Sequence, residues 1–167
     1  HGYMPYVGIP ELRQAFARWY EKWYGVALNP NTEIQPLIGS KEGILHVTLA
    51  FVNPGEQVLV PNPGYPTYTS LSKILGAEVV NYNLKEENGW MPDFDELEQM
   101  DMSRVKLMWT NYPNMPTGAN ATPELYRKLV DFARRKDIVI VNDNPYSFIL
   151  NEHPISILSI PGARSVA

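Results

Sequence analysis

Short apolar runs alternate with amphipathic segments along most of the chain. Runs rich in β-branched and other apolar residues predict five strands, at positions 34–38, 57–60, 78–82, 105–110 and 138–141. Most of these runs are continuously apolar, which is typical of strands buried on both faces of a sheet. Helical spacing and end signals predict helices at 10–24, 44–52, from the loop 61–68 to 75, 93–100 and 123–136. The alternation predicts an α/β fold in which a mostly parallel sheet is covered by helices on both faces.

The segment 10–24 carries the clearest helix signals. Pro10 occupies the first helical position, and Gly25 follows the last. Its apolar stripe recurs at helical spacing and consists of Leu12, Phe16, Trp19 and Trp23. We interpret this stripe as part of the hydrophobic core.

Length and charge narrow the class of protein. At 167 residues the chain is long enough for one hydrophobic core and too short for two ordinary domains. The formal net charge is −4, and the one compact basic run, at 134–136, falls in the last turn of a predicted helix. Cations are favourable there because they complement the helix dipole. We therefore expect no nucleic-acid partner.

Three absences restrict the chemistry and the location. The chain has no cysteine, which excludes disulfides, thiolate metal ligands and cysteine nucleophiles. His1, His46 and His153 lack the spacing of metal ligands, so we expect no metal. No apolar stretch approaches the length of a membrane span, and the first residues do not have the layout of a signal peptide. We expect a cytoplasmic protein with no membrane partner.

Candidate chemistry lies in the loops beside the apolar runs. The run 138–141 leads to Asp143, with Tyr146 three residues later. Ligands of open α/β sheets bind beyond such strand ends, although an ordinary turn would also explain the Asp-Asn pair. Gly39 and Ser40 precede a predicted helix whose free N–H groups could hold a phosphate; a tight turn that needs Gly39 is the alternative. Tyr65 lies among prolines that stiffen its loop, which suits stacking on a planar ligand.

Several other site types lack their sequence motifs. The chain contains no Walker phosphate loop, no G-x-G-x-x-G and no G-x-S-x-G. These absences argue against nucleoside triphosphate binding, dinucleotide binding and the α/β-hydrolase reaction. Ser40 has no base nearby in sequence, so we do not interpret it as a nucleophile.

Five motifs together resemble one enzyme family. They are Y-x4-G-I-P-E-L-R from Tyr3, G-S-K-E-G from Gly39, P-G-Y-P-T-Y from Pro63, P-N-M-P-T-G from Pro113 and D-N-P-Y from Asp143. In this order, and over nearly the whole chain, they resemble the class I/II aminotransferases, which depend on pyridoxal 5′-phosphate (PLP). The resemblance implies the major domain of PLP-dependent transferase fold type I, in part.

The resemblance also implies roles at the ring of the cofactor. Asp143 matches the aspartate that pairs with the pyridine nitrogen, where a carboxylate keeps the ring protonated and electron-accepting. Tyr146 matches the tyrosine that hydrogen-bonds the phenolic oxygen. Tyr65 matches the aromatic residue that stacks on the ring.

Further implied roles concern the phosphate. Gly39, Ser40 and Lys41 match the loop that holds it. Tyr3 matches a tyrosine that reaches the phosphate of the neighbouring subunit. The resemblance therefore implies a homodimer with shared sites.

One position departs from the family pattern. The residue before the final proline-threonine-glycine is usually an asparagine bonded to the phenolic oxygen, and here it is Met115. A thioether is at best a weak acceptor and is no donor. We expect either that Asn114 supplies the missing amide or that Tyr146 acts alone.

The second departure concerns the catalytic lysine. The family's Schiff-base lysine follows the aspartate-to-tyrosine motif, but no lysine stands between Asp143 and Ala167. We expect residues 1–167 to be part of the large PLP-binding domain, without the amino-terminal arm and the carboxyl-terminal small domain. We expect this chain alone to bind PLP weakly or not at all and to be inactive.

The resemblance predicts amino transfer between an amino acid and a 2-oxo acid, without indicating which amino acid. A β-lyase or acyl-transferring relative is one alternative, because the same ring and the same Asp143 serve those reactions. A second alternative is a non-catalytic, aminotransferase-like sensor domain of a transcription regulator.

Overall fold

The computed structural model describes residues 2–149 and 151–167, so His1 lies outside the described part of the chain. Five α-helices occur in it: α1 (Pro10–Tyr24), α2 (Ser40–Phe51), α3 (Pro66–Ile74), α4 (Phe94–Gln99) and α5 (Pro123–Lys136). The strands are β1 (Gln57–Asn62), β2 (Glu78–Asn83), β3 (Val105–Asn111) and β4 (Val139–Asp143). Short 3₁₀ turns lie at Glu86–Asn88, Ile157–Ser159 and Ala163–Ser165.

The four strands form one sheet in the order β2-β1-β3-β4, and every neighbouring pair is parallel. This confirms the predicted parallel sheet. In the register between β3 and β4, Asn111 lies opposite Asp143. The carboxyl ends of these strands therefore deliver two polar side chains to one edge of the sheet.

Alternating strand residues pack on the two faces of the sheet. On one face, Leu59, Met108 and Ile140 join a buried cluster with residues of α4 and α5. On the other, Val58, Leu107 and Trp109 pack with residues of α2 and α3, including the fully buried Tyr68. Helices thus cover both faces, as predicted.

Helix α5 shows how local signals and packing agree. The Thr122 hydroxyl accepts a hydrogen bond from the N–H of Leu125 at 3.1 Å, and Pro123 starts the helix. Six of its residues are buried against the sheet. Its basic last turn is engaged in ion pairs, since Arg135 and Lys136 both contact Glu98.

The predicted strand at 34–38 is wrong. The segment is irregular, and Ile38 is fully exposed. Pro36 has no N–H to donate to a sheet, and the side chain of Gln35 bonds instead to the carbonyl oxygens of Tyr6 and Pro36. Helix α2 begins at Ser40, four residues before the predicted start at position 44.

The predicted core role of the α1 stripe is also wrong. No residue of α1 is buried, and Phe16, Trp19 and Trp23 each remain more than 40% exposed. Two of these rings pack against Phe148, with centroid separations of 5.1 Å for Trp19 and 5.2 Å for Trp23. The helix lies on the surface of the described chain because only a small aromatic cluster faces it.

None of the helices in the described ranges is both long enough and apolar enough to cross a membrane. Over the same ranges, no group of three or more His, Cys, Asp or Glu residues is positioned to hold a metal ion.

Candidate functional site

One cavity opens at the carboxyl ends of the strands. Its lining comes from the start of α2, the start of α3, and the loops after β3 and β4. The lining residues are Ser40, Tyr65, Tyr68, Asn111, Met115, Asp143, Pro145 and Tyr146. Four predicted site residues therefore meet here: Ser40, Tyr65, Asp143 and Tyr146.

Asp143 is half-buried and held at two points. Its carboxylate Oδ2 accepts a hydrogen bond from the Tyr68 hydroxyl at 2.8 Å. Its main-chain oxygen accepts from the side-chain amide of Asn111, also at 2.8 Å. Burial raises the pKa of the Asp143 carboxyl above its ordinary value, whereas hydrogen bonds from Tyr68 and from the Asn144 N–H act in the opposite direction. The loop end is thus fixed both in main chain and in side chain.

Tyr68 is a site residue that the sequence reasoning missed. Its ring is buried and stacks on Trp109, with centroids 4.9 Å apart and planes 5° from parallel. Tyr65 meets it edge to face at 5.6 Å. Tyr65 and Tyr68 are one helical turn apart at the start of α3, and this spacing was the signal that could have placed both at one edge.

Asn111 is the second missed residue, and it connects two loops. Besides donating to Asp143, its Oδ1 accepts from the main-chain N–H of Met115 at 2.7 Å. The loop after β3 is thereby tied to the end of β4. Met115 itself is one of the residues that line the cavity.

Asn114, one of the two alternatives for the missing amide, lies away from the cavity in this structure. Asn114 is buried and does not line the cavity. Its Oδ1 accepts from the Thr117 hydroxyl at 2.8 Å, and its main chain bonds to Gly118 and Ala119. The Asn114 side chain closes its own turn, and Asn111 is the asparagine that lines the cavity. The role of Asn114 toward a cofactor stays a prediction.

The other end of the cavity is the amino terminus of α2. Gly39 precedes the helix without a side-chain cap, and Ser40 is both exposed and part of the lining. The first N–H groups of a helix have no partner within it, so this end can accept an anion. Gly39 has φ −170°, an extended conformation open to any residue, so a strained turn does not explain the glycine. Lys41 is exposed and does not line the cavity.

The remaining predicted tyrosines differ in position. Tyr146 lines the cavity and is 39% exposed. Tyr3 is fully exposed and lies outside the lining. Its predicted role, toward the site of a neighbouring subunit, stays a prediction.

Comparison with known proteins agrees with the fold. The family model of aminotransferase class I and II matches residues 1–163. LL-diaminopimelate aminotransferase of Aquifex aeolicus is 48% identical, with 100% of this chain and 44% of that protein covered. The apo structure of BacF from Bacillus subtilis has a TM-score of 0.93 at 40% identity, covering 99% of this chain and 44% of that one.

A third relative is more distant in sequence and equally close in fold. The aromatic aminotransferase of Pyrococcus horikoshii has a TM-score of 0.92 at 30% identity, again covering 99% of this chain and 44% of that one. The chain thus spans less than half the length of the relatives that it matches. The family match over nearly its whole length shows that the chain belongs to the class I and II aminotransferases.

Proposed function

We propose that this chain is the cofactor-binding part of the large domain of a PLP-dependent aminotransferase. The enzyme moves an amino group from an amino acid to a 2-oxo acid. One observation carries the proposal: Ser40, Tyr65 and Asp143, from three separate segments, line a single cavity at the carboxyl edge of a parallel sheet. That edge is where α/β folds bind ligands.

The end of the cavity beside Asp143, Tyr65 and Tyr146, called the deep end below, fits the ring of PLP. Asp143 would pair with the pyridine nitrogen and keep it protonated. Tyr65, half-buried at the cavity wall, would stack on the ring, and the Tyr146 hydroxyl would hold its phenolic oxygen. When bound, PLP supplies an electron-accepting ring that stabilises negative charge on the substrate carbon.

The opposite end of the cavity, at Gly39 and Ser40 and called the shallow end below, fits a phosphate. Ser40 would donate its hydroxyl, and the uncapped N–H groups of α2 would add the dipole of the helix. Gly39 leaves open space before this helix, because a Cβ there would meet no atom within 4 Å. We further propose a homodimer in which Tyr3 of one subunit reaches the phosphate held by the other.

For the amino donor, we propose LL-diaminopimelate. Relatives 44–48% identical to this chain carry the name LL-diaminopimelate aminotransferase. The structural relatives include proteins named for aromatic amino acids and for alanine at 30% identity. The more similar group supports the diamino acid.

The test uses the protein expressed from its complete reading frame and loaded with PLP. We expect amino transfer from LL-diaminopimelate to 2-oxoglutarate, followed as glutamate formation, to exceed transfer from L-phenylalanine and L-alanine. Release of ammonia and a 2-oxo acid from a β-substituted amino acid would indicate a lyase instead. PLP binding without turnover of any amino acid would indicate a sensor.

A second experiment concerns the isolated chain. No lysine lines the cavity within the described residues. We expect this chain, mixed with PLP and treated with borohydride, to give no reduced pyridoxyl-lysine at a unique position. A single modified lysine in the mass spectrum would contradict that expectation.

A further inference from the structure

The feature that goes beyond the cofactor contacts is the bond between the Tyr68 hydroxyl and the Asp143 carboxylate. The two oxygens are 2.8 Å apart, and they come from α3 and from the end of β4. Burial and the adjacent Asp143 carboxylate raise the pKa of Tyr68 well above its ordinary value, so the hydroxyl remains a proton donor. The direction of the bond is therefore fixed, from tyrosine to carboxylate.

The Tyr68 ring has little freedom to move this hydroxyl elsewhere. It is fully buried, lies flat on Trp109 and meets Tyr65 in a T-shaped contact. Trp109 belongs to β3, the strand beside β4. Stacking against the sheet thus sets where the hydroxyl lies relative to Asp143.

The main chain of Asp143 is held independently. The Asn111 amide donates to its carbonyl oxygen at 2.8 Å, from the opposite residue of the neighbouring strand. With the backbone fixed by Asn111, the carboxyl group keeps rotation about its side-chain bonds. Tyr68 removes that rotation by engaging one oxygen. A carboxylate has about four acceptor positions, so others remain for a ring N–H.

We propose that Tyr68 is a positioning residue that orients the Asp143 carboxylate toward the pyridine nitrogen of PLP. The inference rests on the proposed function, since it needs PLP at this cavity. Tyr68 acts through Asp143 and does not itself line up with a reacting atom. The packing of its ring fixes the position of its hydroxyl, and the hydroxyl donates to the carboxylate.

The main experiment compares two tyrosine-to-phenylalanine changes in the protein expressed from its complete reading frame. Tyr68→Phe keeps the ring and removes the donor. Tyr112→Phe is the matched control, because that buried hydroxyl also makes one 2.8 Å bond, to the carbonyl of Trp90, outside the cavity. We expect Tyr68→Phe to weaken PLP binding roughly tenfold, the size of a hydrogen bond to a charged group. We expect Tyr112→Phe to leave PLP affinity unchanged.

A combined variant shows whether Tyr68 works through Asp143. In an Asp143→Ala background, Tyr68→Phe should cause no further loss of PLP affinity. An equal loss in both backgrounds would overturn the proposal. If Asp143→Ala itself leaves PLP affinity unchanged, the proposed function fails, whereas normal binding in Tyr68→Phe with weak binding in Asp143→Ala refutes only the role of Tyr68.

The pH dependence of PLP binding separates positioning from general stability. The titratable side chains that line the cavity beside Asp143 are Tyr65, Tyr68 and Tyr146. Among these lining residues, Asp143 carries the one carboxyl group. Loss of the Tyr68 donor should raise the pH at which acid weakens PLP binding, relative to wild type and Tyr112→Phe. An unshifted acid limb would contradict the proposal.

A variant with the opposite expected effect on PLP binding tests the proposal even if Tyr68→Phe does not fold. Incorporation of 3-fluorotyrosine at position 68 keeps the ring and makes the hydroxyl a stronger donor. We expect tighter PLP binding and an acid limb at lower pH. Weaker binding or an unchanged limb would overturn the role of Tyr68.

Discussion

The two ends of the cavity are built in opposite ways. At the deep end, Asp143 is bonded through both its carboxylate and its main chain to Tyr68 and Asn111, which are themselves buried. At the shallow end, Gly39 and Ser40 are exposed, and no side chain caps the helix. The deep end is fixed before any ligand arrives, whereas the shallow end offers free N–H groups to whatever anion reaches it.

This difference follows from what each end must do. Pairing with a ring nitrogen depends on direction, and direction requires a carboxylate whose rotation is restrained. Holding a phosphate depends on charge and on several interchangeable donors, which a helix start supplies by itself. Changes at the deep end should therefore alter both reactivity and PLP affinity, whereas changes at the shallow end should mainly reduce affinity.

The largest effect is expected for Asp143→Ala in the complete protein. Removal of the partner of the ring nitrogen should lower amino transfer about a hundredfold or more, because the ring loses its proton and accepts electrons poorly. Single-turnover kinetics at saturating PLP measure this loss. Unfolding curves that match wild type would show that the fold is retained. Transfer within about threefold of wild type would mean that Asp143 is not that partner.

A smaller and more selective effect is expected for Ser40→Ala. One charge-assisted hydrogen bond to the phosphate is lost, so PLP should bind roughly tenfold more weakly. Pyridoxal, which has no phosphate, should bind as before. Exposed Ser70 on α3 gives the matched control, Ser70→Ala. Equal weakening of PLP and pyridoxal would place the phosphate elsewhere.

The substitution Met115→Asn tests whether the deep end lacks one donor. An amide at this lining position should tighten PLP binding by about 1 kcal/mol, or roughly fivefold, if a single hydrogen bond forms. Met115→Leu keeps the apolar shape and should leave the affinity as it is. Unchanged or weaker binding by the asparagine variant would show that the loop after β3 differs from the family pattern.

The smallest effect is expected on the stability of the cofactor-free protein. Burial raises the pKa of Asp143, so at neutral pH the folded state bears the cost of a partly buried charge. Asp143→Asn should raise the free energy of unfolding there, by less than about 1 kcal/mol. This gain in the free energy of unfolding should shrink as pH falls through the raised pKa of Asp143 in the folded state. It should be absent below the ordinary carboxyl pKa of the unfolded chain, where Asp143 is neutral in both states. Denaturant unfolding at neutral and acid pH measures it, and saturating PLP should cancel it.

Local patterns were sufficient for most of the elements. The sequence predicts α1 and α5 with their observed bounds because proline and a cap or glycine mark their ends. It also predicts four of the strands, whose apolar residues pack against helices on the two faces of the sheet. The placement of Asp143 at a loop edge follows from the same pattern, since a buried strand must end where polar residues begin.

Other features depended on groups distant in sequence. The α1 stripe has the periodicity of a core helix, yet its burial depends on what lies opposite, and in the described chain that is chiefly Phe148. Among residues 2–149 and 151–167, no strand pairs with the irregular segment 34–38. Periodicity predicts the type of secondary structure, but tertiary contacts with distant residues determine whether the element is buried.

The assignment of polar side chains was likewise decided by the tertiary structure. Asn111 and Asn114 are the same residue type, three positions apart. The strand register places Asn111 opposite Asp143, whereas Asn114 closes its own turn with Thr117. Tyr68 lies 75 positions before the carboxylate to which it donates. A hydrogen bond requires two atoms about 3 Å apart in the right direction. Sequence spacing determines that distance within a helix or a turn, and only the packing of α3 on the sheet determines it here.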